Sequence, residues 1–171
     1  MFNILIIDDN VEKIYEIEMA IKELELEIEI DYVMEVKKAC GLLEKKYYDF
    51  IILDVQLPSM EQKGAISKTG GIEILDLITD LDSINKPGHI IGITAHNENY
   101  EEIKKEFDKK LWHLIKYDKL SIDWKTSIIG KIIYAYEAKE RFLEYNKISE
   151  KRIQVDCAIL TAVPNEWNQL L

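Results

Sequence analysis

The sequence predicts an α/β domain built on a parallel sheet, and three observations predict it. Over about the first 145 residues, short β-branched runs alternate with longer segments of helical period, the pattern that yields parallel strands joined by crossover helices. Three of the runs, ILII, FIIL and IIGI, are almost wholly apolar, as strands covered by helices on both faces are. Residues capable of chemistry, Asp8, Asp9, Asp54, Thr94 and Lys116, fall at the carboxyl ends of the expected strands, where open α/β sheets bind their ligands.

Five βα units account for most of the chain. The strands are expected over Asn3–Ile7, Glu27–Val33, Phe50–Val55, His89–Thr94 and Leu111–Lys116. Helical periodicity follows them at about Val11–Glu23, Val36–Lys46, Gly71–Leu81 and Tyr100–Lys109, with a longer stretch at about Asp123–Tyr145. The second strand, EIEIDYV, alternates polar and apolar residues, which suits a half-wet position at or near the sheet edge. Two segments exceed a plain five-unit fold. Pro58 to Gly70 is a long polar loop, and at the end ISEKR (148–152) reads as linker while VDCAILTA (155–162) reads as a new buried strand before a helix start at Pro164.

The bulk properties narrow the class of function. A chain of 171 residues suits one compact domain with something attached. A formal charge of −10 argues against direct contact with nucleic acid, whose phosphates need a clustered cationic surface. Cys40 and Cys157 are far apart and lack metal-ligand spacing, so a disulfide framework and a zinc site are both disfavoured. The opening MFNILIIDDN lacks a basic segment, and no later apolar run is long enough to span a bilayer, so a cytoplasmic protein away from membranes is expected.

Three carboxylates converging at one sheet end repel one another unless a hard cation neutralises them. All-oxygen ligands suit Mg²⁺, which typically takes one or two carboxylates together with a phosphate oxygen. A lysine and a threonine hydroxyl opposite would cradle the oxygens of a phosphoryl group in transfer to a carboxylate. Taken singly, Asp8 and Asp9 read as capping residues, and Thr94 and Lys116 as ordinary strand residues. Asp54 is different, because a carboxylate inside FIILDV costs several kcal/mol unless it is paired or bound to a cation.

These residues, in order, are the acidic pair in IIDDN, the acceptor in FIILDVQLP, the threonine and small residue in IIGITA and the lysine in LWHLIKYD. With them the chain resembles the response-regulator receiver (CheY-like) family over roughly Met1 to Tyr145. The resemblance implies a flavodoxin-like, doubly wound five-stranded parallel sheet of order 2-1-3-4-5 with an extended last helix. It implies Asp54 as nucleophile and phosphorylation site, with Mg²⁺ held by Asp9, Asp54 and the Gln56 carbonyl and, through a water, by Asp8. It also implies Lys116 on the phosphoryl oxygens, Thr94 with the N–H of Ala95 as the charge-sensing pair, and His113 at the family's switching aromatic position. A histidine kinase or phosphotransfer protein would then be the donor, and an attached C-terminal effector the output.

The sequence departs from the family at several places. SMEQKGAISKTGG lengthens the loop after Asp54, as a lid, a docking element or a disordered insertion. Tyr117 follows Lys116 where the family commonly has proline, so a trans bond is expected there. His96, two after Thr94, reads as a helix-start residue or as one that tunes access of water. The last helix carries Ile128, Ile129, Ile132, Ile133, Tyr136, Phe142 and Leu143, which points to a linker-bearing helix or a coiled contact in a homodimer. VDCAILTAVPNEWNQLL resembles the opening of the nucleoside phosphorylase and nucleosidase superfamily. The expected organisation is therefore a receiver at 1–147, a linker at 148–154 and the truncated start of a phosphorylase-like domain at 155–171. No effector enzyme activity is expected of these residues, beyond the receiver's own phosphotransfer and dephosphorylation. The competing classes are a docking or oligomerisation module of the same fold, and a Mg²⁺ phosphatase. Asn10 weakens the second, standing where that pattern needs a second acid.

Overall fold

The structure, a computed structural model, describes residues 1–58, 70–95, 100–110 and 112–162, with side chains as far as Ile148. The long loop after Pro58, His96 and the helix start at Pro164 lie outside the described residues. Two compact units are present, Met1–Ala135 and Tyr136–Leu171.

The first unit is a five-stranded parallel sheet of order β2-β1-β3-β4-β5. Its strands are β1 (Phe2–Ile7), β2 (Ile28–Val33), β3 (Phe50–Asp54), β4 (His89–Thr94) and β5 (His113–Lys116). Between them run α1 (Val11–Lys22), α2 (Val36–Leu43), α3 (Gly70–Asp80) and α4 (Tyr100–Lys109), and α5 (Asp123–Ala162) follows the last strand. The strand order and the doubly wound α/β class are those expected, and β2 sits at the edge, with Glu29 exposed on one face and Tyr32 on the other.

Both sheet faces are covered. Leu5, Ile7, Ile51 and Leu53 join Val36, Ala39 and Leu43 of α2, Ile74 and Leu75 of α3 and Phe107 of α4 in one buried cluster. The alternate strand residues Ile4, Ile6 and Ile52 are equally buried and point to the other face. There α1 brings Ile14, Ile17 and Ile21, and the first turns of α5 bring Trp124, Ile128 and Ile132. An ion pair between Lys125 and Glu16, 3.6 Å apart, joins those two helices.

α3 begins against the end of β3, and glycines allow it. A Cβ on Gly71 would stand 2.5 Å from the Asp54 carbonyl oxygen, and one on Gly70 2.6 Å from that of Leu57. Only hydrogen fits in those spaces, so helix and strand end pack backbone to backbone. The Gly70 N–H also donates to the Leu57 carbonyl at 2.7 Å.

The end of the chain corrects an expectation. α5 runs through residues 148–162, where a linker and then a buried strand are expected from the sequence. The physical reason is backbone satisfaction. VDCAILTA has no described strand beside it, whereas a helix closes its own hydrogen bonds, and Ala158, Leu160 and Ala162 are good helix formers.

Candidate functional site

The site is built at the carboxyl edge of β1 and β3. Asp8 follows the last residue of β1, its N–H held by the Val33 carbonyl at 3.1 Å. Asp54 ends β3, and the next residue, Val55, donates its N–H to the Ile93 carbonyl at 3.0 Å. Asp8 is 1 % and Asp54 5 % exposed, while Asp9 faces solvent. One carboxylate oxygen from each of Asp8, Asp9 and Asp54 lies within 4.8 Å of the others.

α1 supplies the counter-charge. Asn10 caps the helix, its side chain accepting the Lys13 N–H at 3.1 Å, and its own N–H donates to Asp8 Oδ1 at 2.9 Å. That cap aims Lys13 inward. Its ammonium lies 2.7 Å from Asp8 Oδ2 and 3.2 Å from Asp54 Oδ1, with the residue 4 % exposed. The approach to Asp8 Oδ2 falls short of hydrogen-bond alignment, so that buried oxygen has a close charge without a directed donor. Lys13 Nζ also stands 5.4 Å from the centre of the Tyr117 ring, which packs at 5.0 Å against that of Trp124.

The electrostatics follow from burial. Loss of solvent pushes the Asp8 carboxyl up to about 6; Lys13 opposes the rise and Asp54 adds to it. Asp54 is likewise raised by burial, against the pull of Lys13 and of the Gln56 backbone N–H. The donor set is all oxygen, crowded and partly unsatisfied, and it fits a hard divalent cation.

The other expected residues are placed as follows. Gln56 is half-buried in the turn after β3. Thr94 is fully buried at the end of β4 and Ala95 beside it is exposed. Lys116 is in register with Thr94 at the end of β5, and is exposed without an ion pair to Asp54. No described peptide bond is cis, and Tyr117, where a proline could not donate, gives its N–H to the Thr94 carbonyl at 2.7 Å. His113 stands apart from the acidic cluster. It pairs with Ile91 and lines a pocket of about 190 Å³ with Phe50, His89, Trp112 and Lys131. Burial together with Lys131 and Lys104 lowers its pKa.

Lys13 is the site residue that reading the sequence missed, although a signal was there. It precedes Ile17 and Ile21 by one and two turns on the buried face of α1. A lysine in a first helical turn also opposes the helix dipole, so it needs acids close by.

A parallel α/β sheet with a carboxylate cluster and a lysine at its strand ends defines a class of acidic-pocket proteins. Within it, the sequence profile described as "Response regulator receiver domain" matches residues 4–115, and the chain belongs to that family. Solved structures agree in fold. A CheY-like receiver domain from Methanospirillum hungatei superposes with a TM-score of 0.59 at 15% identity, covering 82% of this chain and 98% of that one. The receiver domain of the Francisella response regulator 1452 gives 0.59 at 21%, covering 81% and 99%. The phosphorylated cyanobacterial phytochrome response regulator RcpA gives 0.60 at 18%, covering 75% and 89%. Among curated proteins, the uncharacterized protein y4jS of Sinorhizobium fredii is 25% identical over 158 residues, 92% of this chain. The chain spans 38% of that relative's length. No helix among the described residues is long and apolar enough to cross a membrane.

Proposed function

We propose that this chain is a phospho-acceptor receiver, phosphorylated on Asp54 in a Mg²⁺-dependent reaction by a histidine kinase or phosphotransfer protein in the cytoplasm. One observation carries the reading: a carboxylate 5 % exposed at the end of an apolar strand, with oxygens of two further aspartates within 4.8 Å. Crowding carboxylates in this way costs free energy even with the Lys13 ammonium beside Asp8 and Asp54, and a ligand that uses the charges justifies it.

In the proposed step an Asp54 carboxylate oxygen attacks phosphorus in line. A P–O bond forms as the P–N bond to the donor imidazole breaks, the imidazole takes up a proton, and Asp54 becomes an acyl phosphate. Asp9, Asp54 and the Gln56 carbonyl would hold Mg²⁺ directly, and Asp8 through water. When bound, the ion would neutralise the carboxylates and the charge developing on the phosphoryl oxygens. Lys116 is assigned to those oxygens from the other side, with the Thr94 hydroxyl and Ala95 N–H moving toward them. His113 is assigned to relay that movement along β5. The output goes to an attached effector, and the greater length of the Sinorhizobium fredii relative supports one in cis. Residues 155–171 as the start of a phosphorylase-like effector, and a homodimer through α4 or α5, belong to the same proposal.

A docking or oligomerisation module with little phosphorylation is the second reading. It is favoured by the pairing of Lys13 with Asp8 and Asp54, which neutralises the cluster from within.

Beryllium trifluoride, a mimic of the acyl phosphate, separates them by calorimetry and tryptophan fluorescence. Saturable binding that requires Mg²⁺ and vanishes in Asp54→Asn is expected. No binding to the folded wild type would leave the docking module.

A further inference from the structure

We infer that Lys13 is a built-in counter-cation of the acidic pocket, so that divalent metal loads by exchange with its ammonium, and that Tyr117 and Trp124 register the exchange. The inference rests on the metal reading of the site given above. It adds an occupant that any ion must displace.

The geometry carries it in three ways. First, the Lys13 ammonium lies 2.7 Å from Asp8 Oδ2 and 3.2 Å from Asp54 Oδ1, which puts it between two carboxylates of the cluster. A divalent ion held at Asp54 and, through water, at Asp8 would compete with an ammonium at such distances, since like charges there repel strongly in a low-dielectric surrounding. Second, the fit is incomplete. Asp8 Oδ2 is fully buried and has no aligned donor, so the ammonium supplies charge but leaves a lone pair that a metal, or a water on it, would engage better. Third, the lysine side chain is 5 % exposed and rests near the face of Tyr117. Withdrawal from the carboxylates therefore changes what that ring packs against, and the ring touches Trp124 in the first turn of α5.

The exchange has a stability side. With Lys13 in place the metal-free pocket holds its charge balance, and without it buried carboxylates face one another unpaired. Metal-free protein is thus kept folded by the same residue that weakens its metal affinity. A lysine suits this role because its flexible stem and single point charge let it leave without disturbing the α1 backbone.

The test compares wild type with Lys13→Met in the full chain, titrating MgCl₂ and reading tryptophan fluorescence and calorimetric heat. The variant is expected to bind Mg²⁺ about tenfold tighter or more, to melt lower than wild type without metal, and to recover more of its melting temperature when metal is added. In parallel, wild type is labelled with an amine-reactive acylating reagent and mapped by mass spectrometry. Lys13 is expected to be protected without Mg²⁺ and to become reactive at saturation, and this arm decides the matter if the variant does not fold. Wild type that binds Mg²⁺ while Lys13→Met binds no tighter, or while Lys13 stays protected, would overturn the exchange and leave the phospho-acceptor reading standing. Absence of Mg²⁺ binding in both proteins would sink that reading and the exchange with it.

Discussion

The two halves of the pocket are built on opposite terms. At β1 and β3 three charges are sealed and paired, Asp8 at 1 %, Lys13 at 4 % and Asp54 at 5 % exposed within one ion-pair group, with only Asp9 left in solvent. At β4 and β5 the neutral Thr94 is buried while the charged Lys116 stays in water. Buried charges must be neutralised where they lie, so the acceptor half is set before any ligand arrives. A hydrated lysine loses little by following a new charge, so the β4–β5 half can respond to one. A preset acidic half beside a responsive one is the division of labour that the proposed phosphorylation switch would need.

The sharpest way to break that contrast is to disturb the seat of the acceptor half. Gly71→Ala puts a methyl 2.5 Å from the Asp54 carbonyl oxygen. It is expected to destabilise the protein by about 3 kcal/mol in urea unfolding and to cut Mg²⁺ affinity, because α3 or the end of β3 must shift. Unchanged stability would show that the backbone contact is slack.

Next in size is the pH dependence of the acceptor half. The Asp8 carboxyl is raised to about 6 in the folded protein from 3.8, so the folded state holds a proton that the unfolded chain releases. Metal-free stability should therefore fall as pH rises from about 4 through 6, by on the order of 2 kcal/mol, and Asp8→Asn should flatten the slope. Mg²⁺ affinity should run the other way, weakening as pH drops below 6, since the ion competes with that proton. Denaturation and calorimetry at several pH values read both trends.

The reporter half should behave differently. Lys116→Ala is expected to lower beryllium trifluoride affinity about tenfold while moving metal-free stability by no more than roughly 0.5 kcal/mol, as a solvated charge without an ion pair to Asp54 would. A large stability loss would place Lys116 with the sealed group. The smallest effect is a control away from both halves. A Cβ at Gly130, exposed within α5, meets nothing within 4 Å, so Gly130→Ala should stabilise by about 0.5–1 kcal/mol with binding unchanged.

Much of this was legible from the chain. The runs ILII, FIIL and IIGI announce strands buried on both faces, and His89–Thr94 and Tyr100–Lys109 form just where their patterns begin and end. Asp54 declares itself as a carboxylate among apolar neighbours, and Tyr117 in place of proline foretells a trans bond. The rest depends on neighbours. Lys13 reads as one more surface lysine until α1 docks and turns that face inward, and Gly70 reads as loop until α3 packs on β3. VDCAILTA is apolar enough for a strand or a helix, and a segment without a sheet edge beside it takes the helix.

Periodicity and the placement of polar residues at strand ends therefore determined the fold class, the strand order through the family resemblance, and the acidic residues of the site. Each element and each strand-end polar residue is read from a local pattern a few positions long, and the strand order from those patterns taken together along the chain. Tertiary structure decided which cation meets Asp54, because that choice depends on the distance between side chains far apart in sequence and on the solvent they lose. It put Lys13 between Asp8 and Asp54 and left Lys116 in water, since in a buried pocket a charge is held by whichever partner packing brings within about 3 Å.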